Sequence, residues 1–209
     1  MWYSILIAVL TAYLLGNING SVCISQIVAG EDVRSHGSGN AGLTNFFRTY
    51  GSWSTLLVLG IDAGKTVLAI LVGGLLLKPY EFGQEGAVLG AVAVSLGHDF
   101  PALLGFKGGK GIVCGLAVAA MLDWSIALII LGVFVVVFAI TRYVSLGSLL
   151  ASVTFSVCFA LFHLGEPWLV AGGIFLGALA VFMHRANIVR LIKGTEKKVH
   201  LIHREKNKE

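Results

Sequence analysis

The sequence predicts an all-α polytopic membrane protein with about seven transmembrane helices. Three observations predict it. Only 12% of the 209 residues are charged and 56% are hydrophobic, against about 25% charged in soluble domains. The apolar residues gather into runs separated by short polar connections. The chain carries 27 glycines and 3 prolines, a balance that suits close helix packing in lipid better than disorder.

The runs follow in order. Residues 2–28 open with "MWYSILIAVLTAYLL", which has no basic n-region and no cleavage signal, so they read as a retained first helix. Residues 51–77 are long enough to span. Residues 86–96 and 112–122 hold only about a dozen residues each, short for a hydrocarbon core about 30 Å thick. Either their ends extend into "HDFPALLGFKGGK", or the pair is partly re-entrant. Residues 125–141, 145–162 and 168–183 complete the set.

Of the 15 Lys and Arg residues, all but Lys65 and Lys78 fall in the connections 31–50 and 98–111, at Arg142, or after His184. That bias predicts a cytoplasmic C-terminus and an outside N-terminus. With no internal repeat and no long linker, residues 1–196 read as one integral-membrane domain. Residues 197–209 read as a charged cytoplasmic tail, solvated or in contact with anionic headgroups. Cys23, Cys114 and Cys158 have unrelated spacings in apolar segments, so they read as core residues, not as a disulfide framework or a metal site.

Three polar clusters share the predicted cytoplasmic side. In "RSHGSGNAGLTNFFR" the small residues from Gly37 to Gly42, Gly39 among them, let backbone N–H groups approach an anion. Ser38 or Asn40 can cap a helix starting near Ala41, with Thr44, Asn45 and Arg48 on or beside one face. In "GHDFPALLGFKGGKGI", Gly108, Gly109 and Gly111 surround Lys107 and Lys110, a cradle for phosphate oxygens or a pair of snorkelling lysines. His98 beside Asp99 is either a base with its orienter or a structural residue. In "HRANIVRLIKGTE", His184, Asn187 and Arg190 are three apart on a helix continuing from the last span, a stripe about 120° wide. Gly194 reads as its C-cap.

Two other signals mean less. "GIDAGKT" (residues 60–66) resembles a Walker A loop but is one residue short between its glycines and lies inside an apolar span. Asp62 and Lys65 within it are an i, i+3 pair, because each charge alone at mid-bilayer costs about 2.5–3.5 kcal/mol. The pair is either structural or in contact with substrate.

So much positive charge suits two phosphate-bearing ligands, or a reaction in which phosphate leaves. The acyltransferase pattern of His four residues before Asp is missing: Ala41, Leu103 and Val189 stand five positions after His36, His98 and His184. No Ser or Cys sits in a nucleophile elbow, which argues against a covalent acyl-enzyme. No His, Asp or Glu cluster has metal-ligand spacing.

Along nearly its whole length the chain resembles the bacterial acyl-phosphate:glycerol-3-phosphate acyltransferase family. The first family motif matches at Ser38, Asn40, Gly42, Thr44, Asn45 and Arg48. The second matches at Gly97, His98, Phe100 and Pro101, then at residues 106–111. The third matches at His184, Asn187, Ile188, Arg190, Leu191, Gly194 and Glu196. The chain departs at Leu43, at Cys114, and at "GNING" in the first helix, which can alter that helix's kink.

The resemblance implies transfer of a long-chain acyl group from acyl phosphate to the 1-hydroxyl of sn-glycerol 3-phosphate at the cytoplasmic face of a bacterial inner membrane. The products would be lysophosphatidic acid and phosphate. It implies no cofactor, no metal, no nucleic acid and no obligatory protein partner beyond the membrane lipid. Ser38, Arg48, Lys107, His184 and Asn187 are the catalytic candidates. Gly39, Asn40, Thr44, Asn45, Gly108, Gly109, Lys110, Gly111, Arg190 and Glu196 are the substrate- or phosphate-binding candidates. The general base is either His184 or a substrate phosphate. Rival readings are an organophosphate transporter, a non-catalytic lipid-binding subunit and a coenzyme A-dependent acyltransferase.

Overall fold

A computed structural model describes residues 1–51 and 53–199, and the predicted tail lies outside the described residues from position 200 onward. All seven apolar runs are helical. The first is two helices, α1 (Trp2–Asn17) and α2 (Gly20–Ala29), and short α3 (Leu43–Tyr50) precedes α4 (Ser54–Leu77). Then come α5 (Gly83–Asp99), α6 (Ile112–Leu122), α7 (Trp124–Thr141), α8 (Val144–Phe162), α9 (Pro167–Met183) and α10 (Arg185–Ile192).

Among the described residues, five segments are long and apolar enough to cross a membrane, six if α9 and α10 count together. The broken pair α1–α2 counts as one of them. The expected run 86–96 grows to 17 residues as α5. The other short run keeps the bounds the sequence suggests, and at 11 residues α6 is about 16 Å long, too short to span alone.

The packing is inverted relative to a soluble protein. Large apolar side chains point outward along α7, where Leu128, Val136 and Ile140 are mostly exposed, as helices facing lipid require. Inside, contacts rely on small residues. A Cβ on Gly73 of α4 would overlap the carbonyl oxygen of Gly86 in α5, and one on Gly97 of α5 would overlap that of Tyr13 in α1. Backbones therefore meet directly, the usual device where apolar burial cannot drive association. A larger core, with Ile126, Ile130, Phe155, Phe159, Leu169 and Leu176 among its members, joins α7, α8 and α9 to Ile70 of α4, Val88 of α5 and Val118 of α6.

The break between α1 and α2 strands polar backbone inside the membrane, and α4 supplies the partners. Lys65 Nζ donates to the carbonyls of Ile18 at 2.5 Å and Gly16 at 3.3 Å. Asp62 Oδ1 accepts from Gly20 N at 3.1 Å and from Lys65 at 2.8 Å. The expected pair exists, and it satisfies groups that lipid cannot. The "GNING" departure acts at the same place. Asn19 caps α2 through Val22 N and donates to the carbonyl of Ala41 at 2.9 Å. Asn17 Oδ1 accepts from Leu103 N at 3.0 Å. The break is thereby tied to the segments that carry the first two polar clusters.

Candidate active site

The three clusters converge on one cavity of about 660 Å³. Ser38, Asn40, Thr44, Asn45 and Arg48 line it from the first cluster, Lys110 and Gly111 from the second, and His184, Asn187, Arg190 and Glu196 from the third. Away from this polar mouth the cavity continues as an apolar groove past Leu116 of α6, Ile130 and Phe134 of α7, Phe155 of α8, and Leu176 of α9.

The first loop folds around Asn45. Its Nδ2 donates to the carbonyls of Val33 and His36, both at 3.0 Å, and its Oδ1 accepts from Ser38 N at 2.8 Å. Both amide hydrogens are thus committed to shaping the loop. The expected cap is corrected here. α3 begins at Leu43, two residues later than expected, because the chain is still extended at Gly42, which is the N-cap with no side-chain cap. Asn40 Nδ2 donates instead to the carbonyl of Gly108 at 3.3 Å. Gly37 and Gly39 have positive φ, which bends the loop over the cavity mouth.

Arg34 ties the first loop to the second. It is ion-paired with Asp32 at 2.7 Å and donates to the carbonyls of Leu104 and Lys107 at 2.8 and 3.1 Å. Lys107 itself is exposed, and with Gly39 it lines an adjoining groove rather than the main cavity. Gly108 and Gly109 lie behind the rim, their N–H groups bonded to the carbonyls of Asp99 and His98. These four residues are not brought into the cavity wall.

The third cluster is not one continuous helix. α9 and α10 meet at 55° with His184 at the bend, which turns His184 and Asn187 inward, each nearly inaccessible. The stop falls where expected: Gly194, at φ +67°, follows the last turn, and Thr195 N bonds back to the carbonyl of Arg190.

His184 Nδ1 lies 2.7 Å from the carbonyl of Ala180. A carbonyl only accepts, so Nδ1 carries the hydrogen and Nε2 keeps its lone pair. Asn187 Oδ1 accepts from Lys110 Nζ at 2.6 Å, while its Nδ2 donates to Glu196 Oε1 at 2.8 Å. Arg190 Nε donates to Glu196 Oε2 at 2.6 Å. Glu196 is therefore the hinge of the cation cluster. Burial opposes its charge, yet hydrogen bonds from Arg190 and Asn187 hold its carboxyl below the usual range.

The mouth carries more positive than negative charge. Burial, then Arg190 and Arg48, outweigh Glu196 and bring the Lys110 ammonium down to about 8. Burial and Arg190 likewise lower Arg48 against the pull of Glu196. Each cation would gain from an anion placed among them. Among the described residues, no three His, Cys, Asp or Glu side chains are grouped to hold a metal ion.

Sequence reasoning missed two features. One is the row of Ser145, Ser148 and Ser152 on α8, which lines the cavity between mouth and groove. Its spacing of three and four residues in an apolar span was the available signal. The other is the seating of His98 on Lys65, Nδ1 to Nζ at 2.8 Å, between residues 33 apart in sequence.

Comparison with known proteins agrees with this geometry. Residues 6–194 match the family described as glycerol-3-phosphate acyltransferase. Curated relatives of that name include one from Thermoanaerobacter sp. (strain X514), 39% identical over 197 residues, covering 94% of this chain and 96% of the relative. Another is from Clostridioides difficile (strain 630), 39% identical over 198 residues with the same coverage.

The crystal structure of PlsY (YgiH), an integral membrane glycerol 3-phosphate acyltransferase, in its glycerol 3-phosphate form, superposes with a TM-score of 0.84. It is 35% identical and covers 94% of this chain and 96% of that one. Its lysophosphatidic acid form gives 0.81 at 33% identity, with the same coverage. On this fold, this cavity and these similarities, the chain belongs to the glycerol-3-phosphate acyltransferase family and is an integral membrane acyltransferase.

Proposed function

We propose that the protein transfers a fatty acyl group from acyl phosphate to the 1-hydroxyl of sn-glycerol 3-phosphate, at the cytoplasmic face of a bacterial inner membrane and without a covalent acyl-enzyme. Residues 1–196 act as one domain, with the N-terminus outside and the basic tail 197–209 in the cytoplasm. The observation that carries the reading is the single cavity whose cationic mouth opens into an apolar groove between α6, α7, α8 and α9. It suits a reaction that joins a phosphate-bearing alcohol to a membrane-dissolved chain.

The alcohol oxygen attacks the acyl carbonyl, a tetrahedral oxyanion forms, and the carbon–oxygen bond to phosphate breaks. Phosphate is already a good leaving group, so the protein contributes position and charge. Arg48, Lys110 and the Ser38 and Thr44 side chains receive phosphate and oxyanion charge. Arg190 and Asn187 orient glycerol phosphate, held in place by Glu196. Asn40, Asn45, Gly39, Gly108, Gly109 and Gly111 shape the loops, and Lys107 supplies positive potential from the rim. The hydroxyl proton goes to His184 Nε2, the lone pair that the Ala180 bond leaves open, and then to the departing phosphate.

The test is phosphate release from palmitoyl phosphate by purified protein in lipid, with and without glycerol 3-phosphate, beside Arg48→Ala. Release that requires both glycerol 3-phosphate and Arg48 is expected. No release above the variant would overturn the acyl-phosphate donor, and a parallel assay with acyl-CoA would then identify the donor.

A further inference from the structure

The buried charges of α4 do more than close the helix break. Four groups surround Lys65 Nζ: Ile18 O at 2.5 Å, Asp62 Oδ1 at 2.8 Å, His98 Nδ1 at 2.8 Å and Gly16 O at 3.3 Å. An ammonium has no lone pair, so none of these groups can donate to it; its three hydrogens go to the three nearest, and the longer Gly16 contact shares one of them. His98 Nδ1 therefore presents a lone pair, and the neutral ring carries its hydrogen on Nε2. A doubly protonated ring would set a second cation against Nζ.

The other charged or titratable groups around the ring do not alter this. Asp62 Oδ1, 3.7 Å from Nδ1, is taken up by Lys65 and Gly20 N. Asp99 adjoins His98 in α5, and Cys114 of α6 is turned to the carbonyl of Asp62.

The far side of the ring meets the glycine-rich loop. A Cβ on Gly109 would overlap the imidazole, with Nε2 its nearest atom, and one on Gly108 would overlap the His98 carbonyl. Gly109 N donates to that carbonyl at 3.1 Å, and Gly108 N donates to the carbonyl of Asp99 at 3.2 Å. The loop lies flat on His98, which also lines the cavity.

We propose that Asp62, Lys65 and His98 form a positioning relay, in which the ion pair fixes His98 as its Nε2–H tautomer and the ring seats the Gly108–Gly109 loop for acyl transfer. One buried ammonium then holds both the break in the first span and the bed of the loop. The catalytic consequence rests on the acyl-transfer reading above, whereas the tautomer does not.

The test uses full-length protein in lipid with nitrogen-15-labelled histidine, the His98 signal being assigned by its loss in His98→Asn. Wild type is expected to show an unprotonated Nδ1 and a protonated Nε2. Lys65→Met is expected to show mixed tautomers, with kcat at least about tenfold lower and KM for glycerol 3-phosphate within about threefold, the mark of lost positioning rather than lost binding. A hydrogen on Nδ1 in the wild type would overturn the proposal. So would a folded Lys65→Met variant with wild-type kcat. If Lys65→Met fails to fold, the wild-type spectrum and the kcat of Asp62→Asn, expected to fall in the same way, decide instead. Wild-type protein inactive with acyl phosphate would overturn the functional reading alone, leaving the tautomer measurement standing.

Discussion

α8 has a cluster of charged side chains at each end, and the two are built on opposite plans. At the end that carries Ser145, Arg48, Lys110, Arg190 and Lys197 line the cavity with Glu196, and positive charge is left over. Past Phe162, His163 sits between Asp123 at 3.0 Å and Glu166 at 2.8 Å, and Gln84 caps Glu166. Burial would lower the His163 imidazole, but those two carboxylates raise it, while hydrogen bonds keep Asp123 and Glu166 below their usual range. The far end satisfies its charges within the protein and clamps the α6–α7 corner to the α8–α9 corner. The mouth does not, and it leaves positive charge beside an apolar groove, the arrangement on which the proposed function rests.

Substitutions at the two ends should therefore separate activity from stability. Arg48→Ala is expected to lower kcat/KM for glycerol 3-phosphate by about 10²–10³-fold, the scale of a lost charge-stabilising donor. Its melting temperature should stay close to wild type. A comparable loss of melting temperature in Arg48→Ala would erase the contrast.

Lys110 gives the pH arm. Burial and the neighbouring cations bring its ammonium down to about 8, and a bound anion raises that value, so binding takes up a proton above pH 8. Affinity for inorganic phosphate is then expected to fall by up to about tenfold per pH unit above about 8. In Lys110→Arg, that fall should disappear over the same range.

His163→Ala should do the reverse of Arg48→Ala. It removes charge-assisted hydrogen bonds worth about 1.5–3 kcal/mol, lowering the melting temperature while kcat at low temperature stays near wild type. Because the folded-state pKa of His163 is raised, its contribution is full below the unfolded value near 6.5 and is lost as pH rises through the folded one. The wild-type minus His163→Ala difference in melting temperature should shrink accordingly. Lys107→Ala, on the exposed rim, should have the smallest effect, a few-fold rise in KM that high salt abolishes.

Residue pattern carried much of this. The apolar runs lead to the helices because a membrane span has only one economical backbone solution. The clustering of Ser38, Arg48, Lys110, His184 and Asn187 follows from polar residues placed at membrane exits of one sign. What pattern could not carry was interaction between distant elements. Asn40 does not cap α3, and its amide instead donates to a carbonyl of Gly108, 68 residues away. The bend at His184 and the retreat of Lys107 to the outer rim depend on how loops pack, which no periodicity records. Two helices of the groove were equally hidden, since α7 and α9 are almost wholly apolar and only contact decides which face turns inward.

That division of labour has a practical reading. The polar lining of the cavity mouth comes from residues 37–48, 110–111 and 184–196, whereas three of the groove's four walls come from the intervening stretch 124–183. On the proposed function, a chimera that takes 124–183 from a relative with a different tail preference is expected to change which acyl chain is used and to leave the dependence on Arg48 unchanged.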